Sequence, residues 1–127
     1  MNDAVDQLRV RTKRFALDII GLCGELPAST PGQVIGKQIV RSGTSVGAHH
    51  REGVRARSDA EFISKLEGAL QELEETSYWL ELLQDANIAP AALTEPLLQE
   101  ANELAAMLVA SVRTVKTRQA RRSPSKS

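Results

Sequence analysis

Apolar residues return at alternating steps of three and four along this chain, and no segment alternates apolar with polar residues between turn signals. That period lays one apolar stripe along a helix and leaves nothing from which to build a sheet. The first stripe is Val5, Leu8, Thr12, Phe15, Ile19, Leu22 and Leu26. It runs into LPASTPGQ at 26–33, whose two prolines and glycine predict a break. The clearest stripe is Phe62, Leu66, Ala69, Leu73, Thr76, Leu80 and Leu83, widened by Ile63 and Leu70. Ser58 is a good N-cap for it, and Glu61 three residues on makes a capping box. Asn87 and Pro90 mark its end. A last stripe, Leu97, Ala101, Leu104, Leu108, Val112 and Val115, is preceded by Thr94 or Ala89 as cap, with Pro96 or Pro90 in the first turn.

Between these lies a weaker helical segment from about Gln33 to Val54. Its inward candidates are Ile35, Ile39, Ser42, Val46 and Gly53, and Gly36, Gly43 and Gly47 each lower helix propensity by about 1 kcal/mol relative to alanine. Small residues at this density predict a helix that another helix approaches closely. The expected fold is all-α, an antiparallel up-and-down four-helix bundle over 1–118 with helices at about 4–25, 33–54, 58–86 and 94–118. Residues 119–127 are polar and basic and are expected to form a disordered tail.

A chain of 127 residues fits one domain able to bury a core without staples, and its lone cysteine, Cys23, excludes an internal disulfide. The only aromatic residues are Phe15, Phe62, Tyr78 and Trp79, too few for a platform that stacks single-stranded bases. No leader-like segment and no apolar run of membrane-spanning length is present, so a cytoplasmic location is expected.

Formal charge cancels over the whole chain but not along it. Residues 33–57 carry Lys37, Arg41, Arg51, Arg55 and Arg57 against Glu52, a net +4. Residues 58–86 carry eight acids against Lys65, a net −7, and 113–127 carry six basic residues and no acid. Segregated sign of this kind steers charged partners. Arg41, Arg51 and Arg55 fall within roughly 80° of one another around a helix, which makes a short basic ladder. The competing structural reading pairs these arginines with Glu72 or Glu75, since neighbouring helices often neutralise one another.

Residue types suited to catalysis or metal binding are sparse. His49, His50 and Glu52 are the one cluster of ligand types, but adjacent histidines on a helix point about 100° apart and do not share a metal. The bland alternative is a partly buried His49 in the bundle and an exposed His50, either of which can hydrogen-bond a neighbouring helix or subunit. No nucleophile elbow or glycine-rich phosphate loop is present, and Cys23 reads as an inert core thiol. No metal and no cofactor are expected. Trp79, with Tyr78 beside it, lies one step off the Thr76–Leu80 seam, where a large ring suits a subunit interface.

The stretch QIVRSGTSVGAHHREGVRARSDAEFISKLEGALQELEETSYWLELL, 38–83, resembles the four-helix-bundle proteins encoded by intervening sequences within bacterial 23S ribosomal RNA genes. Gln38, Arg41, Ser42, Ser45, Val46, Glu52 and Gly53 match the first part of that pattern. Ser58, Glu61, Phe62, Ile63, Lys65, Leu66, Glu72, Glu75, Thr76, Tyr78, Trp79 and Leu80 match the second. With the flanking helices the likeness spans roughly 5–118. Where the family carries Asn followed by an aromatic or aliphatic residue, this chain has His49 and His50. The resemblance implies antiparallel bundles assembled as ring-shaped homopentamers without established enzymatic activity. It also implies kinship in fold with accessory proteins of reverse transcriptases in diversity-generating retroelements, where a basic ring surface binds nucleic acid.

The expected function is therefore a non-enzymatic homo-oligomeric scaffold that binds RNA or other nucleic acid. The candidate contacts are Lys37, Arg41, Arg51, Arg55 and Arg57 of the second helix, with Arg113, Lys116, Arg118, Arg121 and Arg122 near the C-terminus. His50, Tyr78 and Trp79 are the expected subunit contacts. The alternative is a protein-interaction module that uses the acidic third helix and Trp79 without nucleic acid. Neither a membrane nor a small-molecule substrate is expected as a partner.

Overall fold

The computed structural model describes residues 3–122, which form four helices: α1 (Asp3–Cys23), α2 (Thr30–Val54), α3 (Asp59–Asp85) and α4 (Ala91–Arg122). Short links make consecutive helices antiparallel. Each packs on its two neighbours, and α4 closes against α1 while the diagonal pairs keep their backbones apart. The result is the up-and-down four-helix bundle that the stripes require.

The stripes do face inward. Leu8, Phe15, Ile19 and Leu22 of α1, Ile39 and Val46 of α2, Leu66, Leu73, Leu80 and Leu83 of α3, and Leu97, Leu104 and Leu108 of α4 are all buried in one core. Val5, Leu26, Ile35 and Phe62, the stripe residues nearest the helix ends, are half-buried. The glycines of α2 mark close approach. A Cβ on Gly43 would lie 2.9 Å from Ile19 Cγ1, and one on Gly53 would lie 2.6 Å from Leu66 Cδ1.

Helix ends depart from expectation at four places. First, α2 begins at Thr30 rather than Gln33, because Ser29 caps it by accepting from the Gly32 N–H at 3.3 Å. Pro31 then falls in the first turn, where no intrahelical N–H is needed. Second, the Ser58 hydroxyl accepts from the Glu61 N–H at 3.1 Å, but the Glu61 carboxylate makes no return bond, so the box is half formed. Third, Thr94 and Ala89 cap nothing. Thr94 is buried inside α4 and donates to Gln84 Oε1 at 2.7 Å, and Pro96 lies in the second turn rather than the first. Fourth, α4 runs through Arg122, so the part of the expected tail at 119–122 is helical; 123–127 lie outside the described residues.

The α3–α4 turn closes through Asn87, whose φ of 57° is the left-handed conformation that asparagine tolerates. The Ile88 N–H donates to the Leu83 carbonyl at 2.9 Å and the Asn87 N–H to the Gln84 carbonyl at 3.1 Å. These two bonds satisfy carbonyls the helix end leaves open, and Ile88 folds back onto the core.

Candidate nucleic-acid interface

Antiparallel threading carries the C-terminal ends of α2 and α4 to the same end of the bundle. Arg51, Arg55 and Arg57 therefore gather at the end that also holds Arg118, Arg121 and Arg122, with Arg9 reaching it from α1. Cations at helix C-termini and the acids Asp3, Asp6, Asp59 and Glu61 at helix N-termini both complement the helix dipoles there. The opposite end carries Glu25, Glu81, Asp85 and Glu95.

The ten basic candidates do not form one set. Lys37 lies at the far end, lining a groove with Cys23, Leu26 and Gly36 beside the α1–α2 turn. Arg41 is an α2–α3 tie: it pairs with Glu72 at 3.4 Å and with Glu75. The competing structural reading thus holds for Arg41. Lys116 pairs with Glu67 at 3.5 Å, Arg118 with Asp59 at 3.2 Å, and Arg122 also with Asp59. Exposed pairs of this kind are worth about 0–1 kcal/mol and open readily. Arg51, Arg55, Arg57, Arg113 and Arg121 have no carboxylate within 4.0 Å among the described residues.

His50 overturns a sequence expectation. Instead of lying outside, it is 1% exposed, so it has no surface to offer a neighbouring subunit in this conformation. Its Nδ1 is buried without a hydrogen-bond partner, a state that costs about 1–3 kcal/mol. Burial, aided by the charge of Arg51, holds its pKa below the ordinary histidine value. The ring lines a groove of about 320 Å³ with Arg51 and Val54 of α2, Arg55 at its C-cap, and Val5, Asp6 and Arg9 of α1. Sequence reasoning missed Arg9; only the antiparallel pairing of the start of α1 with the end of α2 reveals it. His49, half-buried, faces α3 instead, with Nε2 3.9 Å from Glu72 and Nδ1 3.9 Å from Glu52.

The residues that carry the family likeness meet one another. Ser42 Oγ accepts from the Thr76 hydroxyl at 2.8 Å, Lys65 pairs with Glu52 at 3.1 Å, and Gly53 seats Leu66. Glu75 accepts from the Trp79 indole N–H at 3.0 Å and takes Arg41 on the same oxygen. The indole bond and then the arginine hold the Glu75 carboxyl below its usual range. The motif is thus an interhelical seam along α2 and α3. Trp79 is half-buried against the core by this seam, whereas Tyr78, its ring 5.4 Å from the indole, is 56% exposed. Four of the eight acids of α3 (Asp59, Glu67, Glu72 and Glu75) are already paired within the chain.

A larger apolar surface lies on α1, where Val10, Leu17 and Ile20 are 68%, 55% and 50% exposed. Their spacing places them within roughly 80° of one another around the helix. Cys23 is half-buried with Sγ 3.5 Å from the Gly36 carbonyl, and burial raises its pKa, which disfavours the reactive thiolate. Among the described residues, no helix is long and apolar enough to cross a membrane.

Fold and surface together define an antiparallel helical bundle with a cationic end, tied by a polar α2–α3 seam. The chain belongs to the 23S rRNA-intervening sequence protein family, whose model matches residues 7–110. It is similar to a crystal structure of a protein of unknown function from the S23 ribosomal protein family of Bacteroides thetaiotaomicron. The two are 35% identical with a TM-score of 0.82, over 87% of this chain and 98% of the other. No curated protein matches the chain.

Proposed function

We propose that this protein is a non-enzymatic, cytoplasmic, homo-oligomeric scaffold that binds RNA through the cationic end of its bundle. Arg51 of α2, Arg55 at its C-cap and Arg57 in the link to α3 make one set of contacts, and Arg113 and Arg121 make those of α4. Lys116, Arg118 and Arg122 join when RNA phosphates displace their exposed carboxylate partners. Lys37 and Arg41 are left out of the contact set. One observation carries the reading: five arginines near the C-terminal ends of α2 and α4 have no carboxylate partner among the described residues, whereas on the sides of the bundle Arg11 and Arg41 are paired and only Lys13 and Arg14 of α1 stand as a separate unpaired couple. Oligomerisation, pentameric as the resemblance implies, is supported by the exposed Val10–Leu17–Ile20 stripe of α1.

RNA affinity measured by fluorescence anisotropy across a salt series tests this function. For single strands log K falls with log salt by about 0.7 per phosphate contact. An Arg51→Ala/Arg55→Ala variant is expected to bind more weakly and to lower that slope by about 1.4, whereas Lys37→Ala leaves both unchanged. Equal binding and equal slopes for wild type and the double variant overturn the site.

A further inference from the structure

We propose that the groove between the first turns of α1 and the last turns of α2 binds a phosphate monoester, with Arg9, Arg51 and Arg55 holding the phosphate group and buried His50 lining the site. This goes beyond general backbone binding by the same arginines. It assigns them a compact ligand with a defined charge.

Arg9, Arg51 and Arg55 converge on one groove, and among the described residues none has a carboxylate within 4.0 Å although Asp6 lines the same groove. Arg14, Arg57, Arg113 and Arg121 also lack a carboxylate partner among the described residues, so what sets these three apart is that they share one groove. Three like charges held together repel one another, and an anion between them removes that repulsion. Counting Asp6, the groove is formally doubly positive. A phosphate monoester carries about −1.5 to −2 at neutral pH, which matches; an internal phosphodiester, with one charge, does not. Guanidinium forks also suit the spacing of phosphate oxygens.

Shape agrees with charge. A groove of about 320 Å³ stands at the small end of ligand sites, large enough for a phosphate and an attached sugar-sized group. Val5 and Val54 supply apolar wall for that group. His50 adds an independent sign of a missing ligand. Among the described residues the other buried polar side chains are satisfied within the chain, Ser42 with Thr76, Thr94 with Gln84 and Thr12 with the Leu8 carbonyl, and the one other orphaned buried nitrogen, His49 Nδ1, lies 3.9 Å from the Glu52 carboxylate rather than in this groove. His50 lines the groove in no hydrogen bond or ion pair among the described residues, and buried polar groups rarely stay so. The phosphate has two possible sources, the 5′ end of an RNA or a small phosphorylated compound.

A His49→Asn variant leaves His50 as the single histidine, so its ring signals can be followed by NMR. Titration with inorganic phosphate, against sodium chloride of equal ionic strength, is expected to shift those signals saturably and to move the His50 titration to higher pH. Both effects are expected to vanish when Arg9→Gln or Arg51→Gln, at exposed positions, is added. Signals that respond alike to phosphate and chloride overturn the site. Two RNA oligonucleotides of one sequence, with 5′-phosphate and 5′-hydroxyl ends, then separate the sources. A preference of about tenfold or more for the phosphorylated end, lost in Arg51→Gln, assigns the RNA terminus. Equal RNA affinities with the phosphate response retained assign a small compound. No RNA binding with that response retained removes the RNA function and keeps the groove; RNA binding without the response does the reverse.

Discussion

A neutral imidazole enclosed at the cationic end of the bundle makes the fold sensitive to pH. Burial disfavours the protonated ring, and the charge of Arg51 adds to that effect. In the unfolded chain the group titrates near 6.5, and in the folded chain below it. Between those values the unfolded state holds more protons, so protonation favours unfolding. The His50 contribution is therefore complete above about pH 6.5 and declines as pH falls through the lower, folded value. Urea midpoints measured from pH 8 to pH 5 are expected to fall for wild type, and to fall less for His50→Gln, whose side chain does not titrate. Identical slopes for the two proteins would remove His50 as the cause.

At the scale of the helices, α2 explains both what the sequence reveals and what it hides. The stripes of α1, α3 and α4 are spelled by large apolar side chains, so their inward faces are legible to the residue. In α2 the face toward α1 and the turn that follows it is spelled by Gly32, Gly36 and Gly43, which carry no apolar side chain to count yet are buried. Including them rotates the centre of the inward face by roughly 25–30°, which brings His50 inside and leaves His49 at the margin. The ion pairs of Arg41 were readable only as one of two outcomes, because the sequence gives charge and spacing but not which helix lies alongside. Arg9 was not readable at all: its role depends on the pairing of helix ends. The glycine face can be tested by contrast. Gly43→Ala places a methyl 2.9–3.3 Å from the branched, stiff side chain of Ile19. Overpacking of about 1–3 kcal/mol then outweighs the gain in helix propensity of about 1, so net stability falls. Gly21 of α1 has nothing within 4 Å, so Gly21→Ala gains about 0.5–1 kcal/mol. Thermal melts that move the two variants in the same direction would contradict this assignment of contact.

For the whole molecule, the proposed assembly and the proposed RNA binding rest on different forces, and salt separates them. Total formal charge is zero, so copies do not repel through net charge, and the Val10–Leu17–Ile20 stripe offers apolar surface for association. In a cyclic assembly every copy bears the same relation to the axis, so all the cationic ends lie at one height and radius. That arrangement multiplies the field seen by RNA and also sets like charges against one another between subunits. Added salt screens the repulsion, since the Debye length shrinks from about 30 Å at 0.01 M to about 10 Å at 0.1 M. The same salt weakens phosphate binding, because counterions released into a more concentrated solution gain less entropy. Light scattering is expected to show an oligomer that strengthens as salt rises, while RNA affinity falls over the same range. Leu17→Glu is expected to yield monomers whose thermal melt is otherwise preserved, because Leu17 is outside the core. Those monomers are expected to bind RNA more weakly than the assembly, although every arginine is retained. A wild-type chain that stays monomeric at tens of micromolar and high salt would end the oligomeric part of the function and leave the cationic end of a single bundle to bind alone.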